Sequence, residues 1–291
     1  MIRRKIDMNT LPRFEGSNLR IMSSNLLFDD TAPSREDKIL ENISYYQPDI
    51  IGFQEVNRFY HDSFVPKLQK LGYALTMAWP DPEHRRESEL RSLSVKYPKV
   101  NYFPIAYRTD RFEEVESSFV MYTSTFTYTK GMTAAVLRDR QSGDLVAHIN
   151  THAALILASY KLEGMSDRVD GAKWRADNAR QMLAEKKSIT DRYGNIPVFF
   201  TGDFNGGENE EYYKVITDGG MVNTKYAASE RASLGQFTFH PVIGQLPDNT
   251  RSPIDHIFVT PGVKVWVHSI ETRQEVLDAS DHCMVYADVT V

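Results

Sequence analysis

The 291-residue chain has a single cysteine, Cys283, so neither an internal disulfide nor a zinc site built from several thiolates is open to it. No apolar run is long enough to cross a bilayer, and the basic opening MIRRKIDMNTLPRFEGSNLR lacks the apolar core of a secretory leader. The expectation is a cytoplasmic protein without stable membrane insertion, with secretion after leader removal as the alternative. Repeats, low-complexity tracts and Pro/Gly/Ser-rich linkers are missing too, which argues against an internal domain boundary. So is any excess of positive charge: 34 Lys and Arg against 39 Asp and Glu leave a formal net charge of −5. A protein that grips nucleic acid through its phosphates normally presents a basic face, and the overall balance speaks against that mode of binding.

What is present is ordinary globular material, 41% hydrophobic and 25% charged. One large domain over residues 19–291, preceded by an extension over 1–18, is the simplest division. Leu19 to Leu27 reads as a strand. Ser34 then caps a helix whose Ile39, Leu40, Ile43 and Tyr46 recur at helical spacing until Pro48 stops it. Asp49 to Val56 (DIIGFQEV) reads as a buried strand. Helical spacing returns at Phe64, Leu68 and Leu71, closed by Gly72, and again through Ala172, Ala176, Ala179 and Leu183. A Ser-Gly turn makes a hairpin of Val136–Leu137 and Leu145–Thr151, and further strands follow at 197–201, 254–260, 263–268 and 284–289. Hairpins mixed with strand-helix-strand units indicate an α/β fold.

Polar residues end these apolar strands repeatedly, and a buried carboxylate is expensive unless it is paired or metal-bound. Asn25 follows LRIMSS, Glu55 follows DIIGFQ, His152 follows HINT, and Asp203 and Asn205 follow VFFTG; Asp255 follows RSPI, and Asp281 with His282 follows DAS. Each has a plain alternative alone. Asn25 and Asn205 are suited to bonding the turn backbone, Asp203 to capping a helix after Gly207, Glu55 to a structural ion pair, and His152 to a satisfied core position. Asp281 is suited to capping a turn and Asp255 to pairing with a nearby arginine. Independent plain explanations for all of them together are improbable.

The strings SSNLL, GFQEV, INTHAAL, TGDFN, IDHIFV and SDHCMV, in this order, resemble the signature blocks of the endonuclease/exonuclease/phosphatase superfamily. The resemblance runs from about Leu19 to Val291. It implies a four-layer α/β sandwich of two mainly antiparallel mixed sheets packed face to face, helices outside and a site at one end. It also implies a Mg2+-dependent phosphoester hydrolase, Mn2+ serving as substitute. Glu55 looks like the principal metal ligand, with Asn25 beside the same ion and Asp281 at it or at a second. By the same similarity Asp255 orients His282 as an acid/base dyad, Asp203 aligns or deprotonates water, Asn205 donates to a phosphate oxygen, and His152 contacts the phosphoryl group.

Strand alternation puts Asn150, and with it His148, on the face of His152, so Asn150 is a candidate substrate contact. No third nitrogen ligand accompanies the two histidines, which leaves a zinc site without support. Cys283, pointing opposite to its neighbour His282, is unsuited to act as a nucleophile with it. Many relatives carry an arginine in the strand where this chain reads KGMTAAVL, and a Gly-Glu pair where it has Val100 and Asn101; where those positions contact substrate in relatives, either the substrate differs here or Thr133 and a cation such as Arg251 take over. Residues 84–99 and 153–170 are candidate rims, with solvated loop and core packing as the respective alternatives. Charge favours a small or lipid-like phosphorylated substrate over a nuclease of the same family, and a catalytically silent binding module is the rival from another class. Nothing implies a protein partner.

Overall fold

The computed structural model describes residues 10–291 except 30, 58, 77–101, 126–129, 156–169, 233–236 and 247–251. In chain order the elements are β1 (Leu19–Asn25), α1 (Ala32–Tyr46), β2 (Ile50–Gln54), a π-helical turn (Tyr60–Phe64) running into α2 (Val65–Lys70), β3 (Tyr73–Leu75), β4 (Ile105–Arg108), β5 (Phe112–Met121), β6 (Gly131–Asp139) and β7 (Leu145–His152). There follow α3 (Ala172–Tyr193), β8 (Val198–Asp203), α4 (Glu211–Asp218), β9 (Val222–Asn223), α5 (Thr224–Ala227), β10 (Glu230–Ala232), β11 (Asp255–Val259), β12 (Lys264–Ile270), α6 (Gln274–Leu277) and β13 (Val285–Thr290).

The strands form a seven-stranded sheet, β10-β12-β13-β1-β2-β4-β3, and a six-stranded sheet, β5-β6-β7-β8-β11-β9. Antiparallel pairs dominate both, with β1/β2, β10/β12 and β7/β8 parallel. Each sheet therefore centres on a strand-helix-strand unit, β1-α1-β2 or β7-α3-β8, flanked by antiparallel neighbours. Hydrophobic clusters separate the four layers. Met22, Ile51 and Phe53 pack outward against Ile39 and Ile43 of α1. Val136, Ile149 and Phe200 pack against Ala176, Ala179 and Met182 of α3. Ile21, Ile50, Leu137, Phe199 and Ile257 fill the space between the sheets.

Local signals explain most of the boundaries, with one correction. Helix α1 begins at Ala32, with Thr31 as N-cap and Pro33 in its first turn, so Ser34 lies inside it rather than capping it. Proline is pre-set for a first helical turn, where its missing N–H has no partner to lose. The helix ends at Tyr46 with Gln47 in the left-handed region, just before Pro48. Strand β5, ten residues long and half-exposed, has no periodic signal in the sequence, because its FEEVESSFVM breaks alternation at a bulge between Glu114 and Glu116. Residues 11–14 lie along the sandwich: Arg13 pairs with Asp49, the amide of Phe14 donates to Asp288, and its ring stacks on Trp266.

The inward face of the central strands changes character along their length. It runs from Ile21 to Ser23 and Asn25 on β1, from Ile50 to Gln54 on β2, from Val146 through His148 and Asn150 to His152 on β7, and from Phe199 through Thr201 to Asp203 on β8. The middle tier is a polar seam. Gln54 Nε2 donates to Asn150 Oδ1 at 2.7 Å, Thr201 Oγ1 donates to the same oxygen at 3.0 Å, and His148 Nε2–H donates to Thr201 Oγ1 at 2.6 Å. Gly52 makes room for the seam, since a Cβ there would come within 2.3 Å of Asn150 Oδ1.

Burial depresses the pKa of three histidines, His148 to about 3, His256 to about 4 and His268 to about 3, with Lys225 adding to the depression of the last two. Unfolding restores values near 6.5, so below that pH the unfolded chain takes up protons that the fold refuses. Stability should be intact above pH 6.5 and fall as pH drops toward 4, by about 1.4 kcal/mol per pH unit for each histidine. Imidazole NMR titration of the folded protein between pH 7.5 and 5 tests this; three rings that titrate near 6.5 would show that they charge within the fold.

Candidate active site

Parallel strands aligned side by side present their carboxyl ends together, and in each sheet two of these ends carry the polar residues. Asn25 closes β1 and Glu55 follows β2; His152 closes β7 and Asp203 closes β8. The antiparallel neighbours add the residues at their amino ends. Asp255, opening β11, is register partner to Asp203, and His282 lies just before β13.

These side chains converge across the two sheets. Asn25 Nδ2 lies 3.4 Å from Glu55 Oε1 and 3.2 Å from Asp203 Oδ2. His152 Nε2 is 3.9 Å from Glu55 Oε1 and 3.4 Å from Asp203 Oδ2. His282 Nδ1 bonds Asp255 Oδ2 at 2.9 Å and aims Nε2 toward Asp203 Oδ2 at 3.9 Å. Leu27, Glu55 and Asn205 all hold positive φ here, at 55°, 61° and 53°. A non-glycine residue in that region costs about 1 to 3 kcal/mol, so the surrounding bonds hold this corner against backbone preference. Among those bonds, the amide of Leu27 donates to Asn25 Oδ1, that of Phe28 to Glu55 Oε2 and that of Asn205 to Asp203 Oδ1. Turn bonding and convergence on the cluster are therefore both true of Asn25 and Asp203.

Other expected positions fall differently. Asn205 stands at the rim of Asp203, with its side-chain amide donating to the carbonyl of Ala153. Asp281 adjoins the cluster through His282, and its Oδ1 is buried without a hydrogen bond. Asn150 is not brought to the carboxylates: it sits one tier deeper, its amide donating to the carbonyls of Phe53 and Phe103. Thr133, opposite Asn150 on β6, is buried at that same depth. Arg251, residues 84–99 and most of 153–170, Ile156, Leu157 and Tyr160 among them, lie outside the described residues.

Two further residues shape the site without a motif to mark them. Thr238 accepts the amides of Ile254 and Asp255 and donates to Asp255 Oδ2, fixing the carboxylate that holds His282. Lys130 is buried and its Nζ meets His152 Nε2. Its only sequence signal is a lysine heading the otherwise apolar KGMTAAVL.

The charges perturb one another. Burial raises Glu55, and nearby Asp281 raises it further against the pull of Lys130. Burial likewise raises Asp203 against His282. Burial lowers Lys130 to about 8 and, together with Lys130, holds His152 well below its ordinary value. Burial opposes the imidazolium of His282, but the carboxylates of Asp255 and Asp203 outweigh it and lift the pKa well above normal.

The endonuclease/exonuclease/phosphatase family matches this chain from residue 22 to residue 282. The chain belongs to that family. Nocturnin of Xenopus laevis is 27% identical over 200 residues, 66% of this chain and 45% of the relative, so the chain spans less than half the length of that protein. Among solved structures, an endonuclease/exonuclease/phosphatase from Bacteroides vulgatus superposes with TM-score 0.71 at 22% identity, covering 94% of this chain and 98% of its own. The mannosyl-6-phosphatase of Bacteroides thetaiotaomicron superposes with TM-score 0.69 at 20% identity, covering 94% and 100%. Family members are divalent-metal-dependent phosphoester hydrolases.

The residues of the corner fit a hard divalent cation. Glu55 and Asp281 are oxygen donors whose charge is poorly compensated, one with a raised pKa and one with an orphaned oxygen, as expected of groups that await a cation. Asp203, Asp255 and His282 also bring ligand atoms within 4.8 Å of one another. There, however, the Asp255–His282 hydrogen bond already uses the imidazole Nδ1, so this trio is a proton-handling dyad beside a carboxylate before it is a cage. Asp255→Asn should lower the His282 pKa, because the imidazolium loses its bonded carboxylate while burial still opposes it. Imidazole NMR titration of the metal-free protein reads it, and an unchanged titration would deny Asp255 that role.

Proposed function

We propose that the chain is a Mg2+-dependent phosphoester hydrolase that directs water at the phosphorus of a small or lipid-like phosphorylated molecule. The single observation that carries this reading is the convergence of Asn25, Glu55, His152, Asp203 and His282, drawn from both sheets, within hydrogen-bond or ion-pair reach of one another. Glu55, with Asn25 and Asp281, would hold the ion, which supplies charge neutralisation on the phosphoryl oxygens.

The chain's own groups divide the proton work. His282, kept charged by Asp255, presents an N–H at Nε2 to an oxygen that gains charge as the ester bond breaks. Asp203, buried and raised in pKa, accepts a proton from water more readily than an exposed carboxylate does. His152 borders both and adds a polar contact on the phosphoryl side. Asn205 keeps Asp203 oriented through its backbone amide while joining the His152 loop through its side chain. The net charge of −5 supports a small substrate over a polyanion, and a structurally similar protein is named for a phosphorylated sugar.

The test is a panel of phosphomonoesters, phosphodiesters, phospholipids and labelled polynucleotides in Mg2+, with chelated protein as control. Turnover on a small or lipid ester is expected, with His282→Ala and Asp203→Asn each reduced by about 100-fold or more in protein whose folding is verified by circular dichroism. Near-normal rates in either variant would mean the chemistry happens elsewhere. Cleavage confined to polynucleotides would replace the substrate assignment with a nuclease.

A further inference from the structure

Arg35, in the first turn of α1, is 3% exposed, and all five of its N–H donors are engaged. Its Nε bonds Thr31 Oγ1 at 2.9 Å. Nη1 bonds the carbonyls of Leu26 at 2.7 Å and Ala279 at 2.8 Å, while Nη2 bonds the carbonyl of Leu27 at 2.7 Å and Asp29 Oδ1 at 2.8 Å. One of these acceptors is a carboxylate. A guanidinium taken out of water for so little opposing charge stabilises a fold poorly compared with apolar packing. Three of its partners, by contrast, are carbonyls of the two loops that carry site residues.

The peptide groups it grips are those that face the site. The Leu26–Leu27 peptide gives its carbonyl to Arg35 and its amide, at 3.0 Å, to Asn25 Oδ1. The Leu27–Phe28 peptide gives its carbonyl to Arg35 and its amide, at 3.0 Å, to Glu55 Oε2. A peptide that accepts at its oxygen donates more strongly at its nitrogen. Between the two, Leu27 holds a φ of 55°, a backbone conformation that persists where its surroundings fix it. The Ala279 carbonyl brings in the facing loop, where Ser280 Oγ donates to the Asn25 carbonyl at 2.7 Å and accepts the His282 amide at 3.2 Å.

We infer that Arg35 is a positioning residue: through the Leu26–Leu27 and Leu27–Phe28 peptides it orients Asn25 and Glu55, and through Ala279 it ties them to the loop of Asp281 and His282. It acts on the site through backbone alone. The inference rests on the metal-dependent reading proposed above and adds the group that aims the side chains proposed to hold the ion.

Calorimetric titration of the stripped protein with Mn2+ tests this without reference to turnover, and thermal unfolding of the same samples reads stability separately. Arg35→Lys keeps the charge but offers three donors at one point where five are engaged. Its Mn2+ affinity should fall by about 10- to 100-fold, as for other groups that orient metal ligands. Asp29→Asn, which leaves the carbonyl contacts in place, should bind as wild type does. Wild-type affinity in folded Arg35→Lys, at whatever melting temperature, overturns the inference and leaves the arginine a structural group, while metal-dependent hydrolysis stands. An equal loss of affinity in Asp29→Asn overturns it too. Where Arg35→Lys does not fold, wild type decides: the Arg35 Nε–H NMR signal should shift when Mg2+ binds, and a signal that stays in place as Mg2+ saturates the protein overturns the inference. If wild type binds neither ion, the functional reading itself fails and this inference with it.

Discussion

Four acidic side chains, Glu55, Asp203, Asp255 and Asp281, are gathered at one end of a β-sandwich, three of them buried or nearly so, and such a cluster stands only if cations and hydrogen-bond donors come with it. The remaining features of this end follow from that requirement. His282 is pressed against Asp255 and faces Asp203; Lys130 is drawn beneath the surface; backbone amides of Phe28 and Asn205 turn inward to carboxylate oxygens. Positive φ at Leu27, Glu55 and Asn205 is the local cost of aiming those amides.

The sandwich prepares the cluster from below. Apolar packing between the sheets gives way to the Gln54–Asn150–Thr201 seam before the carboxylates begin, so polarity rises by tiers. The seam also ties β2 of one sheet to β7 and β8 of the other. Because half of the site comes from each sheet, a slip between them would part Glu55 from Asp203. Side-chain hydrogen bonds resist such a slip better than non-directional apolar contact.

How legible this was differs by residue. The strand ends at Asn25, Glu55, His152, Asp203 and Asp255 were visible because a period-2 apolar run interrupted by a carboxylate or imidazole is locally anomalous. Asn150 obeyed the same alternation as His152, yet depth along the strand separates a seam residue from a site residue, and alternation carries no depth. Thr238 and Lys130 had no anomaly to announce them: a threonine in a loop and a lysine before a strand are ordinary until the partner across the fold is known. The β5 bulge hid a ten-residue strand for the same reason, since one extra residue resets the period.

By itself, the chain of residues determined the α/β class, most strand and helix positions, the family resemblance and the residue types able to perform phosphoester chemistry, because periodicity and short motifs are local properties. Tertiary structure alone decided which of those residues share a corner, that Asn150 supports it from below, and that a lysine is buried among the carboxylates. The physical reason is that burial and electrostatic coupling depend on distance through space, and contacts such as Asn25 to Asp203 join residues that sequence separation sets far apart.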